Sequence, residues 1–170
     1  LLGLYPGNAI TDKTPELIEA CKVSLLDRGF GQKSGANGSG WGKANKVNLW
    51  ARAKDGKRAY SMLRELINKN IAPNLWDFHP PYQMDGNCGY TSGVCEMLCY
   101  SSDDIIELLP ALPEEWKNGS VKGLCARGGY SLDFTWENGE IKSLSVYSSC
   151  GKKTARIKTG DEIKTVKTVG

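Results

Sequence analysis

His79-Pro80-Pro81-Tyr82-Gln83-Met84-Asp85-Gly86-Asn87-Cys88-Gly89 is the stretch from which the rest of this 170-residue sequence is best read. It holds the single histidine of the chain. Pro80 and Pro81 each fix φ and remove a donor, and Pro80 drives His79 toward extended backbone. Asp85-Gly86 is a turn signal, and Gly89 adds a second flexible point. These features predict a stiff loop that displays polar side chains between two helical segments. Binding and catalytic groups often sit on such loops.

Upstream of this stretch the apolar period is helical. Thr14-Pro15-Glu16 has the composition of a helix start: a cap, a proline at the first position and an acid in the first turn. Leu17, Ile18, Cys21, Leu25 and Leu26 then line one face, and Gly29 ends it. Gly29 to Gly42 is crowded with glycine but fails as a phosphate loop. Asn37 stands where Walker A needs its first glycine, and Ala44 where it needs Ser or Thr. A surface loop is expected there. Trp41 closes it, either packed in a core or free to stack on a sugar. Lys43–Lys54 and Lys57–Lys69 read as helices broken at Asp55-Gly56, which implies an antiparallel hairpin. A further helix is expected over Thr91–Ser102.

Downstream the period changes. Ile105–Leu109 is a strand at most, and Pro113–Trp116 has the look of a helical turn. Tyr130, Leu132, Phe134 and Trp136 alternate with polar residues, the pattern of a half-buried strand. Asn138-Gly139 is a hairpin turn, and a phase slip near Ser143 predicts a bulge on the return strand. Ala155–Ile157 and Ile163–Val166 add strands. Helices followed by strands predict an α+β protein, divided at 1–104 and 105–170, and not a βαβ fold.

Composition narrows the function. Hydrophobic residues make up 40% and charged residues 24%, which supports a packed core. A net charge of +3 gives no footprint for nucleic acid or an anionic membrane. No apolar run approaches the roughly 20 residues of a membrane span. The opening Leu-Leu-Gly-Leu-Tyr-Pro lacks an initiator Met and a basic n-region, and reads as the interior of a longer protein. The six cysteines contain no CxxC, and one histidine does not complete a Cys₂His₂ site, so neither metal nor cofactor is expected. Buried free thiols are the expectation, with disulfides left open.

Three motifs together resemble the C-terminal part of the inverting 1,2-α-L-fucosidases of glycoside hydrolase family 95. They are Gly3-Leu4-Tyr5-Pro6-Gly7, the run Gly40-Trp41 through Lys46-Val47-Asn48-Leu49-Trp50-Ala51-Arg52, and His79 to Asn87. Leu108–Pro113 with Gly119–Gly129 fits the family's passage into its last β domain. Asn45 and Cys88 depart from the pattern, standing where aromatics are usual. The resemblance implies helices from an (α/α)₆ toroid followed by a small antiparallel β-sandwich. It implies hydrolysis of terminal α-1,2-linked fucose with inversion, with a fucosylated glycan as the binding partner. It also leans toward a secreted or periplasmic compartment.

By the family pattern Asp85 belongs to the water-activating side, working with asparagines from upstream, and His79 touches the sugar. Trp41 is a candidate sugar contact on separate grounds, as an aromatic beside the glycine-rich loop. Inversion needs a carboxylic acid and a base about 6.5–9.5 Å apart, so that water fits between. Asp85 suits one member of that pair. Its bland reading is a turn aspartate bonded to its own backbone, and that of His79 a satisfied loop histidine. Gln83 and Asn87 are candidates to orient these groups. The family's general acid is a glutamate on an upstream segment with no counterpart in this sequence. Glu96 is a tempting substitute, close to Asp85 in sequence, but it sits inside the following helix, where a solvated or packed glutamate is the expectation. The chain is therefore expected to need an N-terminal partner segment of the same enzyme, and to expose apolar helix faces without it. The competing reading is a non-catalytic carbohydrate-binding module that holds sugar on Tyr130, Trp136 or Trp116.

Overall fold

The computed structural model describes residues 1–29, 38–78, 81–102 and 104–169. Four helices come first: α1 (Pro15–Arg28), α2 (Gly40–Arg52), α3 (Gly56–Asn70) and α4 (Met84–Leu98). Seven strands follow: β1 (Cys99–Ser101), β2 (Ile106–Leu108), β3 (Gly119–Ala126), β4 (Tyr130–Glu137), β5 (Glu140–Ser148), β6 (Thr154–Thr159) and β7 (Glu162–Lys167). A 3₁₀ turn at Glu114–Trp116 precedes β3. The class is α+β, as the change of period predicts. Most of the glycine stretch, along with His79 and Pro80, lies outside the described residues.

Local chemistry sets the helix ends. Pro15 opens α1, but Thr14 does not cap it. The Thr14 hydroxyl turns back on Thr11, accepting its N–H and donating to its carbonyl, both at 3.1 Å. At the other end of α1 the buried Lys46 ammonium donates to the Gly29 carbonyl at 2.7 Å and the Arg28 carbonyl at 3.4 Å. A cation there complements the negative end of the helix. Ser39 Oγ accepts the Gly42 N–H at the start of α2, and Asp55 accepts the Arg58 N–H at the start of α3. The predicted α2–α3 hairpin is present; Ala59, Leu63 and Leu66 of α3 are buried, while Ile67, expected on the same side by its spacing, is 47% exposed.

From Met84 onward the expected loop over residues 79–89 is a helix. α4 begins at Met84, so Asp85, Gly86 and Gly89 lie within it, and it ends at Leu98, not Ser102. The glycines that read as breakers mark a close approach to α2. A Cβ on Gly89 would stand 2.9 Å from Ala44 Cβ and 3.2 Å from the Trp41 ring. One on Gly93 would stand 2.5 Å from Val47 Cγ1. Glycine lowers helix propensity by about 1 kcal/mol. Close packing along a whole helix face offsets that here, so tertiary contact overrides the local signal.

α4 runs straight into β1. A mixed sheet has the order β1-β2-β6-β7, antiparallel except for the parallel β2–β6 pair. A second sheet, β3-β4-β5, is an antiparallel meander. The Asn138-Gly139 hairpin and its bulge are as expected, with Thr135 facing Ser143 while Trp136 faces Ile141. The pattern of β3 does not announce a strand. Its register shifts between Val121 and Leu124, where Gly123 has φ +69° and its N–H is held by Asp133. A bulge of this kind breaks the alternation from which strands are read.

The two sheets share one core, with Ile106, Leu108 and Ile157 against Leu132, Phe134 and Val146. The helices share another around Leu4, Leu25, Val47, Trp50 and Met62. Val94 and Trp116 touch both. The six cysteines are free. Cys21 and Cys99 are buried as expected, whereas Cys88, Cys125 and Cys150 are exposed. Burial, with help from nearby Glu96, pushes the Cys99 thiol up to about 12.

Candidate functional site

The N-terminal turn of α4 carries Asp85. Its side chain is exposed and makes no hydrogen bond or ion pair with the described residues. It is therefore not a turn aspartate closed on its own backbone. The position also has an electrostatic reason, because the free N–H groups at a helix start favour a carboxylate. The segment before α4 is tied down from both sides. Asn87 Oδ1 accepts the Asp77 N–H at 2.9 Å, and Asn87 Nδ2 donates to the Leu75 carbonyl at 2.7 Å. The Asn70 amide donates to the Phe78 carbonyl at 3.1 Å, and the Phe78 N–H donates to the Asn70 carbonyl at 2.6 Å. Asn87 thus braces the preceding segment and does not touch Asp85. Gln83 precedes α4 without capping it.

Trp41 sits on the first turn of α2 and is 41% exposed. One edge of its ring packs on Gly89, one turn along α4 from Asp85. Its open side lines a groove of about 320 Å³ together with Tyr5, Pro6, Arg28, Asn45 and Leu49. Asp85 is not among the residues of that groove. His79 lies outside the described residues, so only two of the three expected site residues have a place in this geometry.

Close by, Trp76 and Tyr82 stack at 4.5 Å between ring centroids, and both are exposed. Isolated aromatics in an irregular segment carry no period from which such a pair could be predicted.

Behind the site, a polar network joins α2 to α4. The buried Asn48 donates to the Gly89 carbonyl at 2.8 Å and accepts from Ser92 Oγ at 2.6 Å, and Ser92 meets the Tyr5 hydroxyl at 2.7 Å. Arg52 clasps Glu96 with two nitrogens, at 2.5 and 3.3 Å, and lies over the Tyr5 and Tyr100 rings. Glu96 is thus engaged in a structural pair, as expected of a helix glutamate. The buried Lys43 donates to Asn70 at 2.7 Å and lies 3.7 Å from Glu65. Burial lowers its pKa against the pull of Glu65 and Asp77.

The β half offers no comparable platform on the aromatics named for it. Trp136 is buried, and its indole N–H donates to the Trp116 carbonyl at 2.8 Å. Trp116 packs edge-on against Tyr60, and Lys152 lies over the Tyr130 ring. All three are held in packing or hydrogen bonding. Among the described residues no group of three or more His, Cys, Asp or Glu side chains is arranged to hold a metal, and no helix is long and apolar enough to cross a membrane.

Two family models cover almost the whole chain. The glycosyl hydrolase family 95 catalytic domain matches residues 1–98, and the family 95 C-terminal domain matches residues 100–169. Alpha-L-fucosidase 2 of Arabidopsis thaliana is 36% identical over 161 residues, covering 87% of this chain and 18% of that protein. Probable alpha-fucosidase A of Aspergillus oryzae is 33% identical over 160 residues, covering 81% and 22%. Its namesake in Aspergillus niger is 32% identical over 178 residues, covering 93% and 22%. The chain thus spans about a fifth of the length of these curated relatives. With the helical part matched to the catalytic domain and the strands to the C-terminal one, the chain belongs to glycoside hydrolase family 95.

Proposed function

We propose that this chain supplies the water-activating side of an inverting α-L-fucosidase site, with Asp85 as the base-side carboxylate. The observation that carries the reading is the Asp85 side chain itself. It is an exposed carboxylate at a helix start, with no partner among the described residues, on a turn braced by Asn87. A base must be free to accept a proton from water, and its mount must hold it still. The substrate is a glycan ending in α-1,2-linked fucose. Trp41 offers an aromatic face to the sugar, and His79 is assigned a sugar contact from the family pattern alone. The general acid comes from a segment outside these 170 residues. The domain division runs near residue 104, with the helices on the catalytic side and the strands as a supporting module.

Two measurements test this. The 170-residue chain alone should release no fucose from 2′-fucosyllactose, and turnover with inversion would show that the acid lies within it. Replacing the matching segment of the Arabidopsis relative by this chain should give an active hybrid. In that hybrid Asp85→Asn should lower kcat by about a thousandfold or more, an amount in the range of lost general-base catalysis, with an unchanged melting temperature. Retained turnover would remove Asp85 from the mechanism.

A further inference from the structure

Asp77 is 0% exposed, the most deeply buried acid among the described residues, and the sequence gives no hint of it. Its surroundings are unusual for a buried carboxylate. Gly40, the first residue of α2, and Gly86, in the first turn of α4, both face it. A Cβ added to Gly40 would overlap Oδ1, and one added to Gly86 would overlap Oδ2. The carboxylate therefore fills the crevice where two helix starts meet. Helix starts carry partial positive charge, which offsets the several kcal/mol that burying a carboxylate otherwise costs. The buried Lys43 ammonium, one turn into α2, also attracts it.

The backbone of Asp77 is joined to the same turn of α4. Its N–H goes to Asn87 Oδ1, and its carbonyl accepts the Gln83 N–H at 3.3 Å. Residues 83, 86 and 87 thus all engage Asp77. Asp85 lies between them in sequence but is turned away from Asn87, because helix neighbours are about 100° apart. The start of α2 that Asp77 faces carries Trp41 on its next residue.

We propose that Asp77 is the positioning residue of this site. Its carboxylate locks the starts of α2 and α4 together and so fixes where Asp85 and Trp41 stand relative to each other. The proposal rests on the role assigned to Asp85 above. Gly40 and Gly86 belong to the same device, since neither position accepts a side chain while the carboxylate is in place.

Two measurements test it. The first needs no activity. In the 170-residue chain Asp77→Asn keeps the shape and removes the charge. It should move the backbone amide resonances of Gly40–Gly42 and Met84–Cys88 and the Trp41 indole signal, while leaving those of β3–β5 in place. Unmoved signals at both helix starts would overturn the proposal.

The second is kinetic, in the hybrid enzyme. Asp77→Asn and Gly86→Ala should each lower kcat tenfold or more with KM within about threefold. Phe134→Leu, in the distant β core, should lose comparable melting temperature and keep kcat. Asp77→Glu should not rescue, since the crevice has no room for another methylene. Should Asp77→Asn behave like Phe134→Leu, Asp77 is structural only. Should Gly86→Ala fail to fold, Asn87→Ala, which removes only the brace, must show the same split between kcat and KM. Loss of activity in Asp85→Asn with full kcat in Asp77→Asn would sink the positioning role and spare the base. Full activity in Asp85→Asn would sink the base itself.

Discussion

Single residues decide how close α2 and α4 come. Gly93 is the sharpest case, because Val47 is β-branched and has no free rotamer to yield. On an exposed helix, Gly→Ala stabilises by about 1 kcal/mol. At Gly93 overpacking should reverse the sign, leaving Gly93→Ala less stable by about 1–3 kcal/mol, read as a lower midpoint in urea. A neutral or stabilising result would mean that the two helices separate easily. At this scale the sequence spoke unevenly. Asp85 could be named because its motif is long and ordered. Asp77 could not, because its role depends on two glycines 37 and 9 positions away meeting in space. No periodicity encodes such a meeting. The Trp41 ring packs on Gly89 with one edge and leaves its other side open to the groove.

At the scale of elements, the helices and the β4–β5 hairpin were legible because each repeats its own period for several turns or pairs. The start of α4 was not. Local rules correctly mark Pro, Gly and Asp-Gly as breakers, and here contact with α2 and Asp77 overrules them. Another join between elements is electrostatic. Lys54, after α2, bonds Asp12 at 2.6 Å and Glu107 of β2 at 2.8 Å, and Lys158 of β6 bonds the same two acids at 3.0 and 3.2 Å. Burial alone would raise the Asp12 carboxyl, but the two lysines outweigh it and hold its pKa below the usual 3.8. The folded value is therefore below the unfolded one. The contribution is fully present above the unfolded pKa and is lost as pH falls through the folded one. Melting temperature should hold steady above about pH 5 and fall below about pH 4. Asp12→Asn should flatten part of that fall, by about 1 kcal/mol or less because the pair is half open to water. An unchanged acid limb in Asp12→Asn would show that the cluster does not hold the helices to the strands.

The whole molecule presents apolar surface that a closed structure would cover. Val23 is 67% and Leu26 53% exposed on the outer side of α1, and Leu75, Trp76, Phe78 and Met84 are exposed beside the start of α4. Patches of this kind drive association. The chain should therefore sediment as more than a monomer at micromolar concentration, and Val23→Glu with Leu26→Glu should shift it toward the monomer. A monomer at all concentrations would mean that these faces are tolerated in water. The expectation of uncovered helix faces follows from the family resemblance, which implies a toroid needing more helices than the four present; residue periodicity alone does not carry it.

The parallel β2–β6 pair has a bearing on how this chain is made. α4 passes without a break into β1, and β1 pairs with β2, yet the other edge of β2 waits for a strand nearly fifty residues later. In chain order, the whole β3-β4-β5 meander precedes the strand that pairs with that edge. The helix that carries Asp85 thus leads into a sheet whose β2 edge is closed only by β6. A chain cut after Ser148 would present β2 as a bare template for a neighbouring polypeptide.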